Sequence, residues 1–191
     1  MKSIDLIINY SFLFVIIIFL LFILKYYKTA LSFLLFLLYF HRVPNKIIPI
    51  NGSILSPAYG TIRELSNNHI SIFLNVNDVH LQYCPCDGKI ISQKYIVGNY
   101  CFAQNQCSDK NSTLETIIDT EFGKIKIKQI SGIIARKIIS FKKVGDSIKR
   151  GELFGFIRFG SRVDLDFIDT IVNFNVDKND KVIGGETILV N

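Results

Sequence analysis

Hydrophobic positions run almost unbroken through the first 40 residues and alternate with polar ones after about residue 50. Leu6 to Leu24 carries no charge over about 19 residues, broken only by Asn9, Tyr10 and Ser11. Such a run is long enough to cross a bilayer core as a helix. Lys25-Tyr26-Tyr27-Lys28 follows, with aromatics beside lysines as at a membrane interface. A second apolar stretch, Ala30 to Phe40, is too short to span as a straight helix. It predicts an interfacial helix or half of a re-entrant hairpin. Residues 1–40 therefore read as a hydrophobic membrane anchor.

From about Ile50 the period shortens. β-Branched runs alternate with Gly, Asn and Asp, and predict strands at 70–74, 89–91, 124–128, 154–159 and 170–176. Lys124-Ile125-Lys126-Ile127-Lys128 alternates strictly, the mark of a half-buried strand with one wet face. Ser131 to Ile139 has the best helical period in this part. Two stretches echo each other: Gly145-Asp146-Ser147-Ile148-Lys149-Arg150-Gly151-Glu152-Leu153-Phe154 and Asn179-Asp180-Lys181-Val182-Ile183-Gly184-Gly185-Glu186-Thr187-Ile188. Each reads as turn, strand, turn, strand, and glycine permits the positive φ that such turns need. The repeated unit resembles that of biotinyl and lipoyl carrier domains. Residues 41–191 thus predict a mainly β domain of the barrel-sandwich type. No lysine sits in a hairpin-tip context suited to a carrier.

Composition narrows the function classes. The 191 residues carry a net charge of +6 and are 49% hydrophobic, which excludes a disordered or low-complexity chain. The basic excess is scattered and lacks an aromatic-basic stripe, so no nucleic-acid partner is expected. Cys84, Cys86, Cys101 and Cys107 are spaced C-x-C and C-x5-C, and the three histidines are dispersed. These spacings fit neither a zinc site nor a secreted disulfide framework. Buried or free thiols and no metal are expected. Lys25, Lys28, Arg42 and Lys46 follow the apolar run and outweigh Lys2 before it, which places the globular domain on the cytoplasmic side.

Several short blocks then occur in a fixed order: Phe40-His41-Arg42-Val43-Pro44, Ser56-Pro57-Ala58-Tyr59-Gly60, Asp78-Val79-His80, Pro85-Cys86-Asp87-Gly88-Lys89, Gln129-Ile130-Ser131-Gly132-Ile133-Ile134-Ala135-Arg136-Lys137-Ile138 and Ile157-Arg158-Phe159-Gly160-Ser161-Arg162-Val163-Asp164. Their order and form resemble the phosphatidylserine decarboxylase family in its short form, similar to archaetidylserine decarboxylases. The resemblance covers residues 40–191 and, loosely, the apolar N-terminus.

The resemblance implies a self-processing enzyme. The Gly160–Ser161 bond would be the cleavage site. The Ser161 hydroxyl would attack the Gly160 carbonyl, and elimination with loss of ammonia would leave a pyruvoyl group derived from Ser161. Residues 1–160 would form a large chain and 161–191 a small one, and the two would stay associated. The pyruvoyl ketone would act as an electron sink while phosphatidylserine, or a related phosphoserine lipid, loses CO2 to give the ethanolamine lipid. His80 matches the histidine of the D-V-H block and would be the acid-base residue. Asp78 would either orient His80 or end a strand. Arg136, Arg158 and Arg162 are candidates for a phosphate or carboxylate. The implied partners are a phospholipid and a membrane, with homo-oligomerisation left open.

The chain departs from the pattern where Tyr59 stands in place of an aspartate implicated in self-cleavage. A tyrosine, with an ordinary pKa near 10, supplies no charge at neutral pH. Asp164 or Asp166 would then have to substitute, or the chain would remain uncleaved as a membrane-bound lipid-binding or scaffold module. Val43 replaces another aspartate, Tyr83 stands where long forms have a second histidine, and the family's N-E-R block survives as Asn111-Ser112-Thr113.

Overall fold

The computed structural model describes residues 12–24, 26–50, 54–98, 110–132, 138–157 and 161–191. The chain divides into two compact units, Met1–Asn45 and Lys46–Asn191. The first holds two helices, α1 (Phe12–Ile23) and α2 (Tyr27–Phe40). No Gly or Pro interrupts either segment, so nothing local opposes a helix. The second helix takes in the whole Ala30–Phe40 stretch and starts three residues before it. It stops where His41 donates both its backbone N–H and Nδ1–H to the Leu37 carbonyl, while the Arg42 guanidinium reaches the Tyr39 carbonyl at 2.9 Å. These contacts satisfy carbonyls that a helix end leaves open. Among the described residues no helix is long and apolar enough to cross a membrane.

The second unit is mainly β, as the alternating pattern predicts. Thirteen strands are described: β1 (Ile54–Leu55), β2 (Gly60–Ser66), β3 (His69–Leu74), β4 (Leu81–Tyr83), β5 (Gly88–Ile96), β6 (Thr113–Thr120), β7 (Gly123–Ile130), β8 (Ile138–Ser140), β9 (Ser147–Ile148), β10 (Leu153–Ile157), β11 (Ser161–Phe167), β12 (Lys181–Val182) and β13 (Ile188–Val190). Eight of them form one antiparallel sheet in the order β12-β2-β3-β11-β7-β6-β5-β9. A three-stranded sheet, β4-β10-β8, and a β1–β13 pair complete the unit. The large sheet has bulges between Ile62 and Glu64 and between Ile90 and Ser92. An extra residue on one strand bends it and raises its twist, which curls this sheet.

The alternation at 124–128 is the half-buried strand expected: Ile125 and Ile127 are buried and the lysines face outward. The echo also holds, down to the backbone. Gly145 and Asn179 occupy matching positions with φ of 94° and 77°, and Gly151 and Gly185 do so with 75° and 74°. In each copy the aspartate closes its turn, Asp146 accepting the Lys143 N–H at 2.9 Å and Asp180 the Asp177 N–H at 2.8 Å. Each turn then feeds a short strand at the edge of the large sheet.

Two expectations differ. Residues 170–176 form no strand. Val172 N–H reaches the Asn67 carbonyl and Asn175 N–H the Leu189 carbonyl, two isolated bonds with no ladder, while Val172, Phe174 and Val176 pack on the core. The hydrophobic alternation there reports burial rather than pairing. The helical reading of 131–139 fails at its C-terminal end, because Ile138–Ser140 pairs with β10; residues 133–137 lie outside the described residues. Cys84 and Cys86 are free and buried, and burial pushes both thiols up to about 12. Cys101 and Cys107 lie outside the described residues.

Candidate active site

Two strand pairs change sheet together. In the large sheet β3 pairs with β11; in the small sheet β4 pairs with β10. β3 runs on into β4 and β10 runs on into β11. The crossing between the sheets holds residues 75–80 on one chain segment and lies between Ile157 and Ser161 on the other. Ser161 is the first residue of β11, opposite Leu74, the last residue of β3. Across the same crossing, Ile157 N–H donates to the His80 carbonyl at 3.2 Å. Ile157 and Ser161 are four residues apart, a span of at most about 14 Å. The chain therefore keeps Ser161 within that span of Ile157, whose N–H holds the His80 carbonyl.

Ser161 is fully buried, and its Oγ has no hydrogen-bond partner among the described residues. Such an orphan hydroxyl is costly unless something uses it. One step beyond the last β11–β7 pair, the register brings Ser131 opposite Ser161. The Ser131 N–H bonds to the Ser112 carbonyl at 3.0 Å, and its Oγ is likewise buried without a partner among the described residues.

His80 is buried and oriented from both sides. Its Nδ1–H donates to the Asp78 carbonyl at 2.8 Å, which leaves the lone pair on Nε2. The Asp78 carboxylate does something else: it accepts the Asn75 N–H at 2.7 Å and closes the turn, the device seen again at Asp146 and Asp180. So Asp78 ends the strand with its side chain and orients His80 with its carbonyl. A second support is a buried amide pair. Gln129 Nε2 donates to Gln82 Oε1 at 3.0 Å, and Gln82 Nε2 donates to the His80 carbonyl at 2.6 Å. Both glutamines are fully buried. Gln129 sits within a block quoted for the resemblance but carried no role there. A polar residue on the buried face 125–127–129 was the signal for it. Gln82, between Leu81 and Tyr83 in a wholly buried strand, left no sequence signal.

The remaining candidates separate. Alternation along β11 puts Ser161, Val163, Leu165 and Phe167 on the inner face and Arg162, Asp164 and Asp166 on the outer one. Asp164 Oδ2 takes a bond from Arg162 Nη2 at 3.0 Å, and Asp166 pairs with His69 at 2.5 Å and Lys128 at 2.8 Å. Burial pushes the Asp164 pKa up against the pull of Arg162. Neither carboxylate shares the face of Ser161. Tyr59 meets Tyr83 edge to face, ring centroids 6.2 Å apart, with Lys46 Nζ over the Tyr83 ring and bonded to the Gly184 carbonyl. Burial lowers Lys46 to about 7, Glu186 opposing, and burial pushes the Tyr83 hydroxyl up. Two of the positions that depart from the family pattern therefore touch each other. Gly160, Arg136 and Arg158 lie outside the described residues. Among the described residues no cluster of His, Cys, Asp or Glu could hold a metal.

The phosphatidylserine decarboxylase family pattern matches residues 33–190. The chain is 35% identical over 160 residues to a putative archaetidylserine decarboxylase proenzyme of Methanosarcina mazei, covering 84% of this chain and 76% of that protein. It is 34% identical over 168 residues to a phosphatidylserine decarboxylase proenzyme of Geotalea uraniireducens, covering 81% and 78%. A phosphatidylserine decarboxylase proenzyme of a Wolbachia from Brugia malayi is 39% identical over 171 residues, covering 80% and 74%. No solved structure matches the chain. The order of the blocks, the crossing that carries them and these relatives lead to one conclusion: the chain belongs to the phosphatidylserine decarboxylase family.

Proposed function

We propose that this protein is a self-processing, pyruvoyl-dependent decarboxylase that converts phosphatidylserine, or a related phosphoserine lipid, to the ethanolamine lipid and CO2. The observation that carries this reading is the buried Ser161 hydroxyl, without a partner among the described residues, at the start of β11, four residues after the Ile157 N–H that holds the His80 carbonyl. Ser161 Oγ attacks the Gly160 carbonyl carbon and passes its proton to His80 Nε2, which carries the ring's lone pair because Nδ1 carries the hydrogen. The Gly160–Ser161 C–N bond then breaks and the amine of residue 161 takes a proton. Loss of the Ser161 Cα proton expels the Gly160 carboxylate from Cβ, and water replaces the nitrogen as ammonia. The pyruvoyl group so formed supplies the electron sink for loss of CO2. The proenzyme names of the relatives support the same processing.

The pairing of strands supports retention of both products. Residues 161–191 supply β11, β12 and β13, whose partners β3, β7, β2 and β1 all lie in residues 1–160. The framework is in this reading a barrel-sandwich, and the apolar residues 1–40 hold it at a membrane with the β unit on the cytoplasmic side. The run of Leu6–Leu24 and the lysines after it support that placement.

Tyr59 favours the competing reading of an uncleaved lipid-binding module, since its ring packs on Tyr83 and neither Asp164 nor Asp166 shares the Ser161 face. The intact mass of the purified protein decides between the two. Two fragments meeting at Gly160–Ser161, the smaller beginning in pyruvoyl, with a single uncleaved mass for Ser161→Ala, are expected. One full-length mass for both proteins, fresh and aged, leaves the module.

A further inference from the structure

Ser161 shares its register row with a second serine that the chemistry above does not use. Ile130 pairs with Arg162 on one side and with Thr113 on the other, so the next row reads Leu74, Ser161, Ser131 and Ser112. The bond from the Ser131 N–H to the Ser112 carbonyl, 3.0 Å, shows that the ladder runs on to this row. It also fixes the kind of pair that Ser131 makes on its other side. A strand residue points its N–H and C=O the same way, and both groups of Ser131 face the β6 side, where its carbonyl accepts Asn111 Nδ2 at 2.8 Å. Ser131 and Ser161 are thus a non-hydrogen-bonded pair, the closer of the two kinds, with Cα atoms about 4.5 Å apart and side chains on one face.

Both hydroxyls are fully buried, and neither has a hydrogen-bond partner among the described residues. Their neighbours in the same row are committed. Ser112 Oγ accepts the Gly98 N–H at 3.1 Å, and the Asn111 carbonyl accepts Thr113 Oγ1 at 3.0 Å while its side chain holds Ser131. Ser131 is gripped at both backbone groups, and its hydroxyl is left beside that of Ser161. An unpaired buried hydroxyl costs stability. One held firmly beside a nucleophile has a use in the reaction of that nucleophile.

We propose that Ser131 is a further catalytic residue of self-processing: its hydroxyl donates a hydrogen bond to Ser161 Oγ and stabilises the charge that this oxygen gains as it leaves Cβ. The assignment rests on the self-processing reading and concerns one step of it. Hydroxyls on Cβ atoms about 4.5–5.5 Å apart reach the roughly 2.7–2.8 Å of an O–H···O bond by a turn about χ1. In the ester, Oγ joins Ser161 Cβ to the Gly160 carbonyl carbon. Loss of the Cα proton forms the Cα–Cβ double bond, and the Cβ–Oγ electron pair goes to the Gly160 carboxylate. Ser131 keeps its own proton, and its hydrogen bond strengthens as charge develops on Oγ. His80 and Ser131 therefore act at different steps, the first on the attacking hydroxyl and the second on the departing oxygen.

The test follows the full-length protein in detergent by intact mass over time, with and without hydroxylamine. Hydroxylamine cuts an ester at Gly160 and releases residues 161–191 beginning in serine; completed processing releases them beginning in pyruvoyl or its oxime. Ser131→Ala is expected to lengthen the half-time of pyruvoyl formation at least about tenfold, a conservative figure for a lost donor to a developing oxyanion, and to accumulate the ester. Ser131→Thr keeps the hydroxyl and is expected to process as the parent does. Folding is read separately in the uncleaved Ser161→Ala protein, where adding Ser131→Ala is expected to leave the melting temperature no lower, because it removes an unpaired hydroxyl. Pyruvoyl formed by Ser131→Ala at the parental rate, an equal loss in Ser131→Thr, or slow processing without ester overturns the assignment. A lowered melting temperature gives the hydroxyl a structural bond and overturns it as well. A parent that yields neither ester nor pyruvoyl sinks the self-processing reading itself, and the role of Ser131 with it.

Discussion

The Gln82–Gln129 pair makes a quantitative claim about how His80 is held. Changing Gln129 to Met keeps the length and shape of the side chain but removes the donor to Gln82 Oε1, 3.0 Å away. That oxygen stays fully buried with nothing to replace the bond, a cost of about 1–3 kcal/mol. Changing Gln82 to Met strands the Gln129 amide in the same way, again about 1–3 kcal/mol. It also removes the 2.6 Å bond to the His80 carbonyl and leaves the Ile157 N–H in place. The double variant leaves neither amide unpaired, so it is expected within about 1 kcal/mol of the parent. Urea denaturation followed by far-UV circular dichroism, in one detergent for all four proteins, reads the cycle. Self-cleavage half-times read the other consequence: Gln82→Met is expected to slow cleavage more than Gln129→Met, because it alone removes a bond to the His80 carbonyl. Double-variant losses equal to the sum of the singles would refute the pairing. Equal half-times for both singles would refute the link to His80.

Gly155→Ala should destabilise by about 1–3 kcal/mol through overpacking, since a Cβ there would lie 2.6 Å from the Ile139 carbonyl oxygen and 2.7 Å from Gln129 Nε2; a parent-like melting temperature would count against the packing described. Burial works against Asp166, but its bonds from His69 and Lys128 prevail and hold it down at about 2, while His69 is held above its ordinary pKa chiefly by Asp166. The Asp166 contribution is therefore present above its usual titration near 3.8 and is lost as pH falls toward about 2; the His69 contribution is present below 6.5 and is lost as pH rises through the raised value. Asp166→Asn should flatten both limbs of the stability–pH curve, and an unchanged curve would show that the pair does not act. Lys46, lowered to about 7 by burial, binds its proton more tightly in the unfolded chain, so stability should rise with pH between about 7 and 10. Lys46→Met should remove that rise, and a rise that persists would assign it to another group.

The fold was legible wherever one physical signal acted alone. Period-two alternation marked β7, because its outer lysines and inner isoleucines face different solvents. The echo was legible because both copies solve the same local problem, a positive φ followed by an aspartate that closes the turn. Residues 170–176 misled because burial and pairing normally coincide and here do not. Strands β2, β6 and β11 were harder to see. Arg63 and Glu64 break the alternation of β2 at a bulge, and β11 sets Arg162, Asp164 and Asp166 on a face that reads as loop until His69, Lys128 and Ser71 are known to lie beside it.

The site divides along the same line. Ser161 and His80 were singled out because ordered blocks carry them, and strand pairing brings the ends of their segments together. The carboxylates offered in place of the missing aspartate were misread because linear proximity to Ser161 ignores the alternation of a strand: Asp164 is close in sequence and on the opposite face. What no linear reading could give is that Tyr59 and Tyr83, departures in separate blocks, form one contact with Lys46 beside the Gly184–Gly185 turn. A lone replacement of a charged residue by tyrosine would leave a hole in polarity. Two facing tyrosines with a largely desolvated amine form a packed, mostly uncharged unit. An aspartate restored at residue 59 alone would place its charge against Tyr83 and beside Lys46. It would pair with Lys46 rather than act on Ser161, so Tyr59→Asp should raise the Lys46 pKa without speeding self-cleavage. Cleavage that accelerates in this variant while Lys46 titrates as before would show that residue 59 still addresses Ser161, and that the tyrosine contact is incidental.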